Sequence, residues 1–135
     1  MIAACNKAIE AANLSAYISI QPANSLKCAT DATTFTITAL GGTTAITYQW
    51  QVSTDGGTNY SDITGANAAT YTIASTVLSQ NNNRYRCVVS GVCAPAATST
   101  AAVLTLSAAP TITSNPIEYG KISVFINQVG DWTNN

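Results

Sequence analysis

Two short runs, Tyr48-Gln49-Trp50-Gln51 and Arg84-Tyr85-Arg86-Cys87, constrain this chain more than any other part of it. In the first, Ile46, Tyr48, Trp50 and Val52 fall at alternate positions, so one face of an extended segment is apolar while Thr47, Gln49 and Gln51 occupy the other. In the second, Tyr85, Cys87 and Val89 repeat that spacing. Strands of this kind must bury their apolar faces against a second layer. A tryptophan on one short strand and a later Tyr-x-Cys strand are the means by which a two-sheet antiparallel sandwich fills and closes its core.

The remaining segments supply the partners. Residues 16–22 alternate Ile18 and Ile20 with Tyr17, Ser19 and Gln21, and Pro22 places the strand at an edge. Residues 33–39 send Phe35 and Ile37 one way and Thr34, Thr36 and Thr38 the other, and Gly41-Gly42 ends that strand. After the Trp50 strand, Ser53-Thr54-Asp55-Gly56-Gly57 carries the residues that tolerate a tight hairpin. Residues 70–74 bring Tyr71 and Ile73 inward, and residues 80–83 form a polar turn before the Tyr85 strand. Tyr85 stands two residues before Cys87, the spacing of a tyrosine corner, whose phenol satisfies a backbone group. A last strand carries Ala102, Leu104 and Leu106 on one face. The expectation is an all-β protein: an immunoglobulin-like β-sandwich over residues 16–107, with core signature Phe35, Ile37, Trp50, Tyr85 and Cys87. It is flanked by an N-terminal arm (1–15) and a C-terminal linker and extension (108–135).

Residues 6–12 are good helix formers with Asn6 as a cap, yet two turns of helix are marginal alone. The extension contains a strand over residues 121–128, with Ile122, Val124 and Ile126 against Ser123, Phe125 and Asn127, and Trp132 follows. A lone strand leaves its backbone groups unpaired, so this one is expected to add to an edge of its own sandwich or to another chain. Ile122, Val124, Phe125, Ile126 and Trp132 are the candidate assembly contacts.

Composition excludes several functions. Charged residues make up only 8% of the chain, against roughly a quarter in an average soluble protein, so Thr, Ser, Asn, Gln and Ala must cover the surface. The net charge is −1 and the five basic residues, Lys7, Lys27, Arg84, Arg86 and Lys121, are scattered, so no nucleic-acid partner is expected. No apolar run of about 18 residues exists, hence no membrane span by a helix. The start lacks the basic and apolar regions of a signal peptide. Either a secreted module cut from a larger precursor or a protein that bypasses the secretory route is compatible with that.

The ordered series Tyr48-Gln-Trp50-Gln-Val-Ser-Thr-Asp-Gly-Gly57, Ile63-Thr-Gly-Ala, Tyr71-Thr-Ile73, Tyr85-Arg-Cys87-Val-Val-Ser-Gly-Val-Cys93 and Leu104-Thr-Leu106 resembles the Ig-like modules repeated in surface and secreted proteins of the Bacteroidetes. Similar domains decorate bacteriophage heads and tails. The resemblance covers roughly residues 28–107 and implies spacer, adhesion or carbohydrate-associated roles without conserved chemistry.

Of the four cysteines, Cys87 lacks the partner expected in the middle of the second strand, where Phe35 and Ile37 stand. Cys28 is the candidate partner instead; a Cys28–Cys87 bridge would close a loop of about 60 residues and contribute about 4 kcal/mol. Cys5 and Cys93 either pair or remain thiols, and reduced, buried cysteines throughout are the other reading. No CxxC and no histidine are present, so neither a zinc site nor a histidine-activated nucleophile is expected, and no cofactor. The single Asp of the Asp55-Gly56 turn falls short of a calcium loop. Glu10, Asp31, Asp55, Asp62, Glu118 and Asp131 are dispersed and are expected to be solvated charges, not a glycosidic pair. Lys27, at the edge of a strand, is a weak fit to an isopeptide cross-link.

The expected function is therefore non-enzymatic: a structural and interaction protein docked through its termini on a larger protein assembly, a bacteriophage capsid or tail, or on neighbouring copies. Its loops at residues 41–45, 55–59 and 91–96 would face outward. The alternative is a secreted or cell-surface adhesion or carbohydrate-binding module in which Trp132 or Tyr60 stacks on a glycan.

Overall fold

The computed structural model describes residues 15–41, 45–108 and 110. The helical arm over residues 6–12, the strand over residues 121–128 and Trp132 lie outside the described residues. Among the described residues ten strands follow one another: β1 (Tyr17–Ile20), β2 (Ser25–Cys28), β3 (Thr33–Thr36), β4 (Thr38–Leu40), β5 (Thr47–Ser53), β6 (Ser61–Asp62), β7 (Thr70–Ile73), β8 (Arg84–Ser90), β9 (Ala97–Thr98) and β10 (Ala102–Ser107), with a 3-10 turn at Leu78–Gln80 before β8.

They form two layers. In one, β3 pairs antiparallel with β7 and β4 with β1; β3 and β4 are one run broken only at Ile37. In the other the order is β2-β10-β8-β5-β6, with β9 also on β8. The chain crosses between layers after β1. Pro22, buried at the crossing, cannot donate to a ladder, and β2 resumes parallel to β10. Gln21 and Asn24 fasten the crossing, accepting from the Thr100 and Val103 backbone N–H groups at 2.9 and 2.8 Å.

β2 has no alternating apolar signal, and sequence reading left it unassigned. Its strand conformation follows from the open edge of β10. The Tyr17 strand also differs from expectation. Ala16 and Ile18 turn toward the core, but the register slips between Ile18 and Ile20, and Ile20 is left 59% exposed. One extra residue in a strand reverses the side every later residue faces, which is why strict alternation misplaces Ile20.

Between the layers lie Phe35, Ile37, Trp50, Ile73, Tyr85, Cys87, Val89, Leu104 and Leu106, all buried. Tyr85 stacks on Phe35 with ring centroids 4.8 Å apart, and Tyr71 bridges Trp50 and Tyr85 at 6.1 and 5.9 Å. Trp50 donates its indole N–H to the Ala68 carbonyl at 2.8 Å, so no polar atom of the ring is stranded. The group that meets the Tyr85 hydroxyl is the Asn83 side chain, where a backbone group was expected; burial pushes this phenol up and Asn83 partly offsets the shift. Among the described residues no helix is long and apolar enough to cross a membrane.

Candidate functional site

Of the three segments expected to face outward, the turn after β8 and the Asp55 hairpin lie at opposite ends of the sandwich, and residues 42–44 of the third lie outside the described residues. β5 runs antiparallel to β8 from Thr47, opposite Ser90, to Ser53, opposite Arg84. The turns after β4 and after β8 therefore share one end, while the Asp55 hairpin sits at the other. At the first end Ser15 pairs with Cys93, and Gly41, at φ +82, lies so close to the Ser15 carbonyl that a Cβ there would collide with it. Tyr17 and Leu40 are directly opposite each other in the β1–β4 ladder and remain 53% and 47% exposed; Val92, next to Cys93, is also exposed. The exposed Tyr17–Leu40 pair thus lies near the end where Ser15 meets Cys93.

At the other end, Asp55 builds its own hairpin. Its Oδ1 accepts from the Ser53 hydroxyl at 2.7 Å and from the Thr58 and Asn59 backbone N–H groups at 3.0 and 2.9 Å; its Oδ2 accepts from the Asn59 side chain at 2.7 Å. Gly57 donates its N–H to the same Ser53 hydroxyl. The carboxylate oxygens face these donors, a turn-forming role. The Asn59 N–H, then the Ser53 hydroxyl and the Asn59 side chain, hold the Asp55 carboxyl well below the usual carboxylate range.

A carboxyl whose folded pKa is depressed stabilises the fold above its unfolded value and ceases to do so as pH falls toward the folded one. We therefore expect Asp55→Asn to be less stable than the parent protein at neutral pH. The gap should narrow between about pH 4 and pH 2, as read from urea midpoints across that range.

The outer face of β5, β6 and β8 carries a polar row. Arg86, Gln51 and Asp62 stand opposite one another across three strands. Arg86 Nε donates to Gln51 Oε1 at 2.8 Å, and Gln51 Nε2 donates to Asp62 Oδ1 at 2.7 Å. The Arg86 guanidinium lies over the Tyr60 ring, 3.7 Å from its centroid. One face of Tyr60 is thus covered, and the sugar-stacking platform expected of it is not available there. Asp31, by contrast, belongs to a turn: its carboxylate accepts from the Cys28 N–H, and its carbonyl from the Thr76 N–H and hydroxyl.

The Cys28–Cys87 bridge is not formed; both are free thiols. The strand order explains this. Cys28 is exposed on β2, Cys87 faces the core from β8, and β10 runs between them. Strands two places apart are separated by about 10 Å, beyond the roughly 7 Å between Cα atoms that a disulfide spans. The Cys87 N–H is satisfied by the Ser99 hydroxyl at 2.9 Å. Cys93 is disulfide-bonded, and Cys5 lies outside the described residues.

Comparison with solved structures agrees on the architecture. The I-band fragment I67–I69 of titin aligns with a TM-score of 0.56 at 19% identity, over 70% of this chain and 33% of that one. The tandem Ig repeats of Dlar align at 0.56 and 14% identity, over 70% and 47%. The complex of titin M10 with the obscurin-like 1 Ig domain aligns at 0.51 and 13% identity, over 72% and 98%. The chain thus spans about a third of the multidomain titin fragment and nearly the whole of a single Ig domain. At these identities the likeness establishes an immunoglobulin-like fold. No curated protein matched in sequence. A family model does match, over residues 16–108, and the chain belongs to that family, described as Domain of unknown function (DUF8696).

Proposed function

We propose that this protein is a non-enzymatic interaction domain that docks on a larger protein assembly, with a bacteriophage virion surface as its setting. The observation that carries this reading is the apolar end of the sandwich. Tyr17 and Leu40 form an exposed cross-strand pair, with Val92 exposed on the turn that Ser15 bridges. An exposed apolar cross-strand pair of this kind supports a contact surface, and Ile20, Leu26, Val77 and Leu78 are further exposed apolar side chains of the domain. The terminal segments contribute to the same docking in this reading. Ile122, Val124, Phe125, Ile126 and Trp132 supply an added strand and its anchor. Adhesion at a bacterial surface through a glycan is the competing role, and the covering of one face of Tyr60 by Arg86 weighs against stacking there.

Photocrosslinking tests the proposal. A benzophenone residue in place of Leu40, introduced in the full chain within its native source, is expected to capture one defined protein that sediments with virions. The same probe at the exposed Thr72 is expected to capture none. Labelling of polysaccharide from position 40, or equal and diffuse labelling from both positions, would overturn it.

A further inference from the structure

We infer that the outer face of β8 is a recognition site for an extended acidic segment of a protein partner, carrying carboxylates at alternate positions. Both arginines of the chain, Arg84 and Arg86, stand two residues apart on β8 and point outward, Arg84 exposed and Arg86 half-buried. Neither makes an ion pair among the described residues. A guanidinium carries five N–H donors. Arg86 uses only Nε internally, on Gln51, and its Nη groups bond no described residue.

Arg86 is held in place before any ligand arrives. Tyr60 supports its plane from one side and Gln51 fixes its Nε, so little side-chain entropy remains to be lost on binding. The hairpin completes the platform. A Cβ at Gly57 would lie 3.2 Å from both Arg84 Cδ and Tyr60 Oη, so the bare glycine lets the hairpin lie closely against both side chains. Neither carboxylate of this end forms an ion pair with the two arginines among the described residues. Asp62 is engaged by the Gln51 amide, and Asp55 by its own loop.

Geometry and charge select the occupant. Two residues along a strand are about 7 Å apart, and so are alternate carboxylates on another extended chain. An acidic strand laid along β8 therefore meets both guanidiniums, each suited to bidentate carboxylate binding. A sugar acid would match the charge, but one face of Tyr60 is covered by Arg86, which reduces the aromatic surface left for a sugar ring to stack on. This inference rests on the reading of the domain as a protein-binding module, but concerns a different surface from the Tyr17–Leu40 end.

The test is NMR titration of the full chain with an octapeptide of alternating Glu and Ser. The Gln-Ser peptide and an oligogalacturonate serve as comparisons. The acidic peptide is expected to shift the amide signals of Gln51, Tyr60, Arg84 and Arg86, and added salt to weaken it. Arg86→Gln and Arg84→Gln should each raise Kd about tenfold or more, Arg84→Gln with an unchanged thermal midpoint. The Arg84 side chain bonds no described residue, so its variant tests the site even if the Arg86 variant is destabilised. No shift at millimolar peptide, equal binding of the Gln-Ser peptide, unchanged Kd in Arg84→Gln, or tighter binding of oligogalacturonate would each overturn the inference. Crosslinking from position 40 is read out separately, so loss of one result without the other shows which reading failed.

Discussion

Trp50→Ala is expected to cost about 3–5 kcal/mol, the largest loss of any single substitution in the domain. The side chain is fully buried between the layers, within ring contact of Phe35 and Tyr71. Its removal leaves a cavity that β5, hydrogen-bonded to strands on both sides, cannot collapse to fill. It also strands the Ala68 carbonyl, which accepts the indole N–H. Natural domains are stable by only about 5–15 kcal/mol, so the variant should be largely unfolded or strongly shifted in urea midpoint at 25 °C. Trp50→Phe keeps an aromatic ring in the core, so it leaves a smaller cavity while losing the same hydrogen bond. Its cost should be less than half that of the alanine variant.

The second large effect is chemical. Under native conditions iodoacetamide should alkylate Cys28 readily and leave Cys87 unmodified, and in denaturant both should react. Only the thiolate attacks. Burial pushes the Cys87 thiol up to about 11 and closes it to reagent, while Cys28 is exposed on the edge strand β2. Peptide mapping of the natively labelled protein measures the contrast. A native Cys28–Cys87 disulfide would protect both residues and raise the mass of neither. Their spacing across β10 rules against that outcome.

The two largest signals in the chain, the Trp50 strand and the Tyr85-x-Cys87 strand, are legible because both periodicity and chemistry point the same way. Period-two alternation sends Trp50, Tyr85, Cys87 and Val89 inward wherever their strands pair. Phe35 and Ile37 are readable for the same reason. Where the local pattern is silent or interrupted, sequence reading fails. Residues 25–28 contain an exposed Leu26 and a Lys27 and lack alternation, yet they form β2, because the open edge of β10 supplies the hydrogen bonds. Ile20 looks inward by alternation and is turned out by a slip in register that no residue type announces.

The candidate surfaces divide in the same manner. That Arg84 and Arg86 share a face is visible from their spacing, but that neither forms an ion pair among the described residues is not, since Asp62 and Asp55 could equally have turned toward them. Tyr60, in a connecting loop with no period to orient it, reads as a free aromatic until Arg86 is found on its ring. The Tyr17–Leu40 pair depends on a register between strands far apart in the chain.

What this sequence determined by itself was the class of fold and the identity of its core, because burial of alternating apolar residues is a local preference repeated strand after strand. What the tertiary structure alone decided was which strands are neighbours. That choice keeps Cys28 from Cys87, brings Ser15 to Cys93 and stacks Arg86 on Tyr60. Such contacts join residues distant along the chain, and they depend on how whole strands align rather than on the preference of any one residue.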